Sequence, residues 1–213
     1  MNIAFVGNSL ARDPLEQLCR SAGHSLDSAA PADVYFDLHL VDKDAKRAAI
    51  ASSTANLILA AAVPCSATEA ASWAKHPDRV VGISPVFGGV IELAPALQTA
   101  PETLDRADSF LRALSLDPVR VADGPGLVRL RVLCCLANEA ASAVAEGVAS
   151  AADVDTAMKL GVNYPRGPLE WANLLGLDVV LAVMRGLQAE YGEDRYRPAP
   201  LLSRKVQSGQ NFL

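Results

Sequence analysis

Residues 123–205 decide the fold of the second half of this chain. They open with Asp-Gly-Pro-Gly at Asp123–Gly126 and continue LVRLRVLCCLANEAASAVAEGVAS from Leu127 to Ser150. Apolar residues recur there every three or four positions up to Val148, which is the spacing of one face of an α-helix. A long helix is therefore predicted directly after the Asp-Gly-Pro-Gly turn.

Two further helices follow within the same stretch. The hydroxyl of Ser150 and the carboxylate of Asp153 are spaced to accept the free N–H groups at the start of a helix. This helix is predicted over Ala151–Leu160, with Gly161 as its end. A third helix is predicted to run through Leu187. The unit is all-helical, and its apolar faces need a partner surface to cover them.

Short strands and helices alternate in the first half of the chain. Strands are predicted over residues 2–7, 24–29, 33–41, 57–63, 79–83, 89–93 and 119–121. Such alternation is typical of a parallel, doubly wound sheet of the α/β class. Asp, Gly and Pro cluster at residues 122–126, so we predict a sheet domain over 1–122, a helical domain over 123–205 and a loose tail over 206–213.

Composition excludes several functional classes. A formal net charge of −5 argues against nucleic acid as a partner, because phosphate binding needs a basic face. No apolar run has the length of a membrane span, and we expect no membrane association and no secretion signal. The four cysteines form no CxxC motif and the histidines do not cluster, so buried thiols are predicted rather than a metal site or disulfides. This cysteine usage suits a reducing cytoplasm.

A set of motifs in the helical half resembles a known family. They are Asn138-Glu139-Ala140, the segments 146–150, 153–161 and 164–170, Gly176-Leu177-Asp178, and the segment 196–202. Together they are similar to the C-terminal domain of 3-hydroxyacyl-CoA dehydrogenases. In that family this domain builds the dimer and one wall of the acyl-CoA site, and an N-terminal Rossmann domain holds NAD. The resemblance implies a homodimer through residues 124–205.

The first half resembles the family's Rossmann domain in a reduced form, through residues 32–37, 45–48 and 77–83. Dinucleotide binding needs a glycine-rich turn, because the pyrophosphate approaches bare backbone at a helix N-terminus. The turn here runs from Gly7 to Arg12 and keeps only its first glycine. Gly7 and Asn8 are the remaining candidates for NAD contacts, with Arg12 as a phosphate partner. The alternative, which we favour, is a strand–helix turn that no longer binds NAD because of the side chains of Ser9 and Arg12.

The family's catalytic residues are replaced in this chain. Oxidation of a 3-hydroxyl group needs a base with a pKa near neutrality, and the resemblance places that base at Ser84. Its carboxylate partner falls at Pro95, and the asparagine that contacts the substrate falls at Leu130. Glu92 is a displaced substitute for the carboxylate or, as we favour, a solvated residue at a strand end.

No other residue supplies an obvious base or nucleophile. His24, His39 and His76 are each predicted to be surface histidines, at a helix–strand turn, a strand edge and a loop. Cys65 beside Ser66 is predicted to be a packed thiol rather than a nucleophile, because no histidine–acid pair accompanies it.

Three functions remain open. The segment 163–171 is similar to the shortened second copy found at the C-terminal end of long two-copy family members, such as those of phenylacetate breakdown. The chain is therefore expected to be a dimerising accessory module in acyl-CoA oxidation that pairs with a full-length relative. The first alternative is an active NAD-dependent 3-hydroxyacyl-CoA dehydrogenase that uses Ser84 and Glu92. The second is a non-catalytic acyl-CoA binder, with Arg166 as the candidate contact for CoA phosphates.

Overall fold

The computed structural model describes residues 1–27, 30–85 and 88–213. The chain divides into two compact units, Met1–Val128 and Arg129–Leu213. The sequence placed the boundary slightly earlier, between residues 122 and 123. Each unit has its own secondary-structure class, an α/β sheet followed by helices.

In its described residues, the first unit contains a six-stranded sheet whose strands lie in chain order. Its elements are β1 (Ile3–Val6), α1 (Arg12–Ser21), β2 (Val34–Asp37), α2 (Lys43–Ser52), β3 (Leu57–Ala61), α3 (Ala67–Ala71), β4 (Val80–Ile83), β5 (Val90–Pro95), α4 (Pro101–Ala113) and β6 (Asp117–Arg120). The Rossmann-like fold class is confirmed, but the sheet is not wholly parallel. β5 pairs with β4 in the antiparallel sense, because the short connection between them leaves no room for a crossover. β6 is parallel to β5.

The strand predicted over residues 24–29 is not a regular strand. Ser25 forms one isolated parallel bridge with Asn2, in which the Ile3 N–H donates to the Ser25 carbonyl at 2.8 Å. Residues 28 and 29 lie outside the described part of the chain. The Asn2 side chain donates to the carbonyls of Asp27 and Ala30 at 3.0 Å each, so an asparagine anchors this short connection. The bridge lies on the side of β1 opposite β2, which preserves a reversal of strand order at β1.

Residues that follow the last strand still belong to the first unit. The Asp123 carboxylate accepts the N–H groups of Ala67 at 2.7 Å and Thr68 at 2.8 Å, at the start of α3. The Gly126 N–H donates to the Ala62 carbonyl at 2.6 Å. These bonds explain why the compact unit extends past the predicted boundary.

The second unit contains five helices in its described residues. They are α5 (Arg129–Ala145), α6 (Ala151–Val162), α7 (Pro168–Leu175), α8 (Leu177–Tyr191) and α9 (Pro200–Ser208). Among all helices of the described ranges, none alone is long and apolar enough to cross a membrane; α7 and α8 together meet that length and composition but are bent by 100°.

Three predictions about this unit were wrong in detail. Helix α6 does not end at Gly161 but continues to Val162, and Asn163 ends it in the left-handed conformation with φ 57°. The third predicted helix is two helices, because Gly176 adopts φ 93° and interrupts the helical path. The tail over 206–213 is not loose throughout. Its first three residues are the end of α9, and the Phe212 N–H donates to the Asn173 side chain at 3.2 Å.

Candidate functional site

Ser84, the position that the resemblance predicts for the catalytic base, is part of the strand pairing in this chain. Ser84 directly follows β4 and is 1% exposed. Its N–H donates to the Glu92 carbonyl, and its hydroxyl oxygen accepts the Glu92 N–H, each at 3.1 Å. The serine hydroxyl therefore joins β4 to β5. A hydroxyl in this role has no means to act as a base near neutral pH.

The other predicted catalytic positions are buried or structural. Glu92 lies inside β5 and is only 7% exposed, so the prediction of a solvated strand-end carboxylate was wrong. Pro95 is the last residue of β5 and pairs with Val81. Leu130 is fully buried in α5 of the helical unit. Ser84 and Glu92 are in direct contact through their two hydrogen bonds.

The turn at the end of β1 is filled by contacts within the protein. Arg12 donates from Nη1 to the Gly7 carbonyl at 2.7 Å and from Nε to Glu16 at 2.9 Å. The Ser9 hydroxyl accepts the Ala11 N–H at 3.3 Å, so a side chain takes one of the N–H groups at the start of α1. Asn8 is exposed. The guanidinium predicted as a phosphate partner is thus already engaged by a carbonyl and a carboxylate.

A charged cluster that the sequence did not predict lies beside this turn. Asp37, the last residue of β2, and Lys46 of α2 form an ion pair in which both side chains are fully buried. The second Asp37 oxygen lies 2.6 Å from His39 Nδ1, and Lys46 Nζ also donates to the His39 carbonyl at 3.3 Å. Gly7 has φ 77°, and a Cβ there would overlap the backbone nitrogen of His39. The β1 turn therefore packs directly against this cluster.

The three histidines have different surroundings. His39 was predicted to be a surface residue, but its side chain is only 21% exposed and contacts Asp37. His24 is half-buried and stacks on Phe110 with 5.8 Å between ring centroids. His76 is exposed in a loop, as predicted. A histidine and an aspartate two residues apart at a strand end lie on the same face of the strand, and this spacing was the signal that could have revealed the cluster.

The buried thiols are unreactive as nucleophiles. Burial, the largest cause, raises the pKa of Cys65 to about 12, and burial raises the pKa of Cys19 to about 12 as well. A thiol with such a pKa is almost entirely protonated at neutral pH and is a poor nucleophile. Within the described ranges, no group of three or more His, Cys, Asp or Glu side chains is arranged to hold a metal ion.

The turn between α6 and α7 is held by charged side chains. Asp155 of α6 is buried, and its two oxygens accept the N–H groups of Leu169 and Glu170 at 2.8 Å each. Lys159 donates to Glu170 at 2.9 Å, and this bond, followed by one from the Gly167 N–H, holds the pKa of Glu170 below its ordinary value. These contacts fix the start of α7.

Arg166 lies in this turn and is exposed. Its guanidinium lies 5.6 Å from the centre of the Trp171 ring, within the range of a cation–π contact. The side chain that was predicted to contact CoA phosphates is therefore available to solvent but rests on an aromatic ring.

Asn138 of α5 bonds to the segment that directly precedes α9. Its Oδ1 accepts the Ala199 N–H at 2.7 Å, and its Nδ2 donates to the Arg197 carbonyl at 3.0 Å. The asparagine is 6% exposed. Motif residues that carried the resemblance, Asn138 and Asp155, thus hold the fold of this unit together.

Comparisons with known proteins agree with this arrangement. Residues 126–211 match the family model described as 3-hydroxyacyl-CoA dehydrogenase, C-terminal domain. A 3-hydroxybutyryl-CoA dehydrogenase of Bradyrhizobium diazoefficiens is 30% identical over 205 residues, which cover 88% of this chain and 67% of that protein. The chain belongs to the 3-hydroxyacyl-CoA dehydrogenase family.

Other members of the 3-hydroxyacyl-CoA dehydrogenase family resemble it over shorter or longer stretches. A 3-hydroxybutyryl-CoA dehydrogenase of Clostridioides difficile is 41% identical over 149 residues, covering 68% of this chain and 53% of that protein. The crystal structure of (S)-3-hydroxybutyryl-CoA dehydrogenase from Ralstonia eutropha superposes with a TM-score of 0.81 at 26% identity, covering 98% of this chain and 94% of that one. The chain spans about half the length of several of the curated relatives that it matches.

Proposed function

We propose that this chain is a non-catalytic member of the 3-hydroxyacyl-CoA dehydrogenase family. It acts as a dimerising accessory module in the acyl-CoA oxidation steps of fatty acid or phenylacetate breakdown. The observation that carries the proposal is Ser84. The resemblance predicts the base at this residue, which is 1% exposed and uses its hydroxyl to accept the Glu92 N–H. A positioned base contributes about 10²–10⁴-fold to such a reaction. Without one, hydride transfer from the substrate carbon is not driven.

The nucleotide turn supports the same proposal. NAD, the cofactor of the family, would need its pyrophosphate to approach backbone N–H groups at the start of α1. In this chain Ser9 and Arg12 fill that space with bonds to Ala11, Gly7 and Glu16. Retention of the fold with a filled turn fits a protein that no longer binds the cofactor.

The surface of the helical unit supports a role in association. Four apolar side chains between α5 and α7 are strongly exposed: Val148 at 72%, Leu160 at 82%, Val162 at 52% and Tyr164 at 38%. Apolar groups left in contact with water in this number favour coverage by another protein surface. We propose a second copy of this chain, or a full-length relative, as that partner.

The first test is a fluorescence titration with NADH, with and without acetoacetyl-CoA, alongside a full-length family dehydrogenase as the positive control. We expect saturable binding to the control and none to this chain. Sedimentation at micromolar concentration should show a dimer, or a complex with the full-length enzyme, and Leu160→Asp should weaken either. A monomer that binds no full-length relative would remove the accessory role.

One observation favours a second candidate, an active dehydrogenase. Ser84 bonds to the backbone N–H and carbonyl of Glu92, so the residue that could supply a displaced carboxylate is the strand partner of the predicted position of the base. This candidate predicts NADH oxidation with acetoacetyl-CoA that is lost in Glu92→Gln. A flat trace at high protein concentration would exclude it.

A further inference from the structure

We draw no further inference here: the strongest candidate, the outer edge of β1, on which the described residues form a single bridge from Ser25 to Asn2, carries nothing because nothing in the structure shows what covers that edge.

Discussion

Lys46 and Asp37 form an ion pair from which water is fully excluded on both sides, since each side chain is 0% exposed. Removing one partner of such a pair leaves an uncompensated charge in the interior. Asp37→Asn should therefore lower the free energy of unfolding by about 3–5 kcal/mol, measured by urea denaturation at pH 7. The double variant Asp37→Leu/Lys46→Met should recover much of this loss.

The matched control for that prediction is an exposed ion pair between α2, the helix of Lys46, and α3. Lys43 lies 2.6 Å from Glu69, and both side chains are at least 40% exposed. Lys43→Met should cost no more than about 1 kcal/mol. Equal losses in Lys43→Met and Asp37→Asn would show that burial does not set the strength of the Asp37–Lys46 pair.

A side chain introduced at Gly167 is expected to overlap its neighbours and destabilise the protein. A Cβ at this position would overlap the Asp155 carboxylate that accepts the Leu169 and Glu170 N–H groups. Gly167→Ala should destabilise the protein by about 1–3 kcal/mol in urea denaturation, because Asp155 must shift. Gly161→Ala is the control. Gly161 lies in α6 with nothing within 4 Å of its Cβ position, so alanine there should stabilise the helix by up to about 1 kcal/mol. Destabilisation by both variants would contradict this account.

Replacement of Asn138 by aspartate is expected to give a loss of stability that depends on pH. Asn138→Asp keeps the acceptor for the Ala199 N–H but places a carboxylate oxygen against the Arg197 carbonyl. We expect it to cost more stability at pH 7 than Asn138→Ala, which should cost about 1–3 kcal/mol. A protonated carboxyl can donate to the Arg197 carbonyl, so the loss relative to the wild type should shrink between pH 7 and pH 5. A loss that is constant with pH would argue against the donated bond.

Because of the buried thiols, we expect the folded protein to lose stability in alkali. The folded state raises the pKa values of Cys19 and Cys65 from 9.0 to about 12. A raised pKa stabilises the fold below the unfolded value, and this contribution is lost as the pH rises from 9 towards 12. The urea midpoint should fall as the pH rises from 9 towards 12, and Cys19→Ala/Cys65→Ala should flatten that fall. Tyr35, whose pKa burial raises to about 12 from 10.0, should keep a residual slope at the upper end. An unchanged slope in the double variant would exclude the thiols.

The sequence predicted elements whose pattern is local. The strand predicted over residues 57–63 appeared as β3 close to its predicted bounds, because a short, fully apolar run along the chain determines it. The positions of glycines were less informative about where helices end. Gly161 and Gly176 look alike in sequence, yet only the second adopts a positive φ and breaks the helix.

The sequence did not predict contacts between different elements of the fold. The Asp37–Lys46–His39 cluster joins a strand end to the following helix, and no spacing rule reports that both charges are buried. Residues 24 and 25 were predicted to lie in a strand, but a strand requires continuous pairing with a partner backbone, and Ser25 forms one isolated bridge with Asn2. At the candidate catalytic position, the family resemblance predicted that Ser84 stands in place of the base, whereas the role of Ser84 in joining β4 to β5 required coordinates.

Asp123 bonds to the start of α3 from 56 residues further along the chain, across the turn where the composition changes. A gene split between codons 122 and 123 would therefore leave the first fragment without the acceptor for the Ala67 and Thr68 N–H groups and give the second fragment a carboxylate that has lost its partners. A split after codon 128 keeps that bond within one fragment. If the two halves are ever expressed separately or exchanged with those of a relative, the junction belongs after Val128.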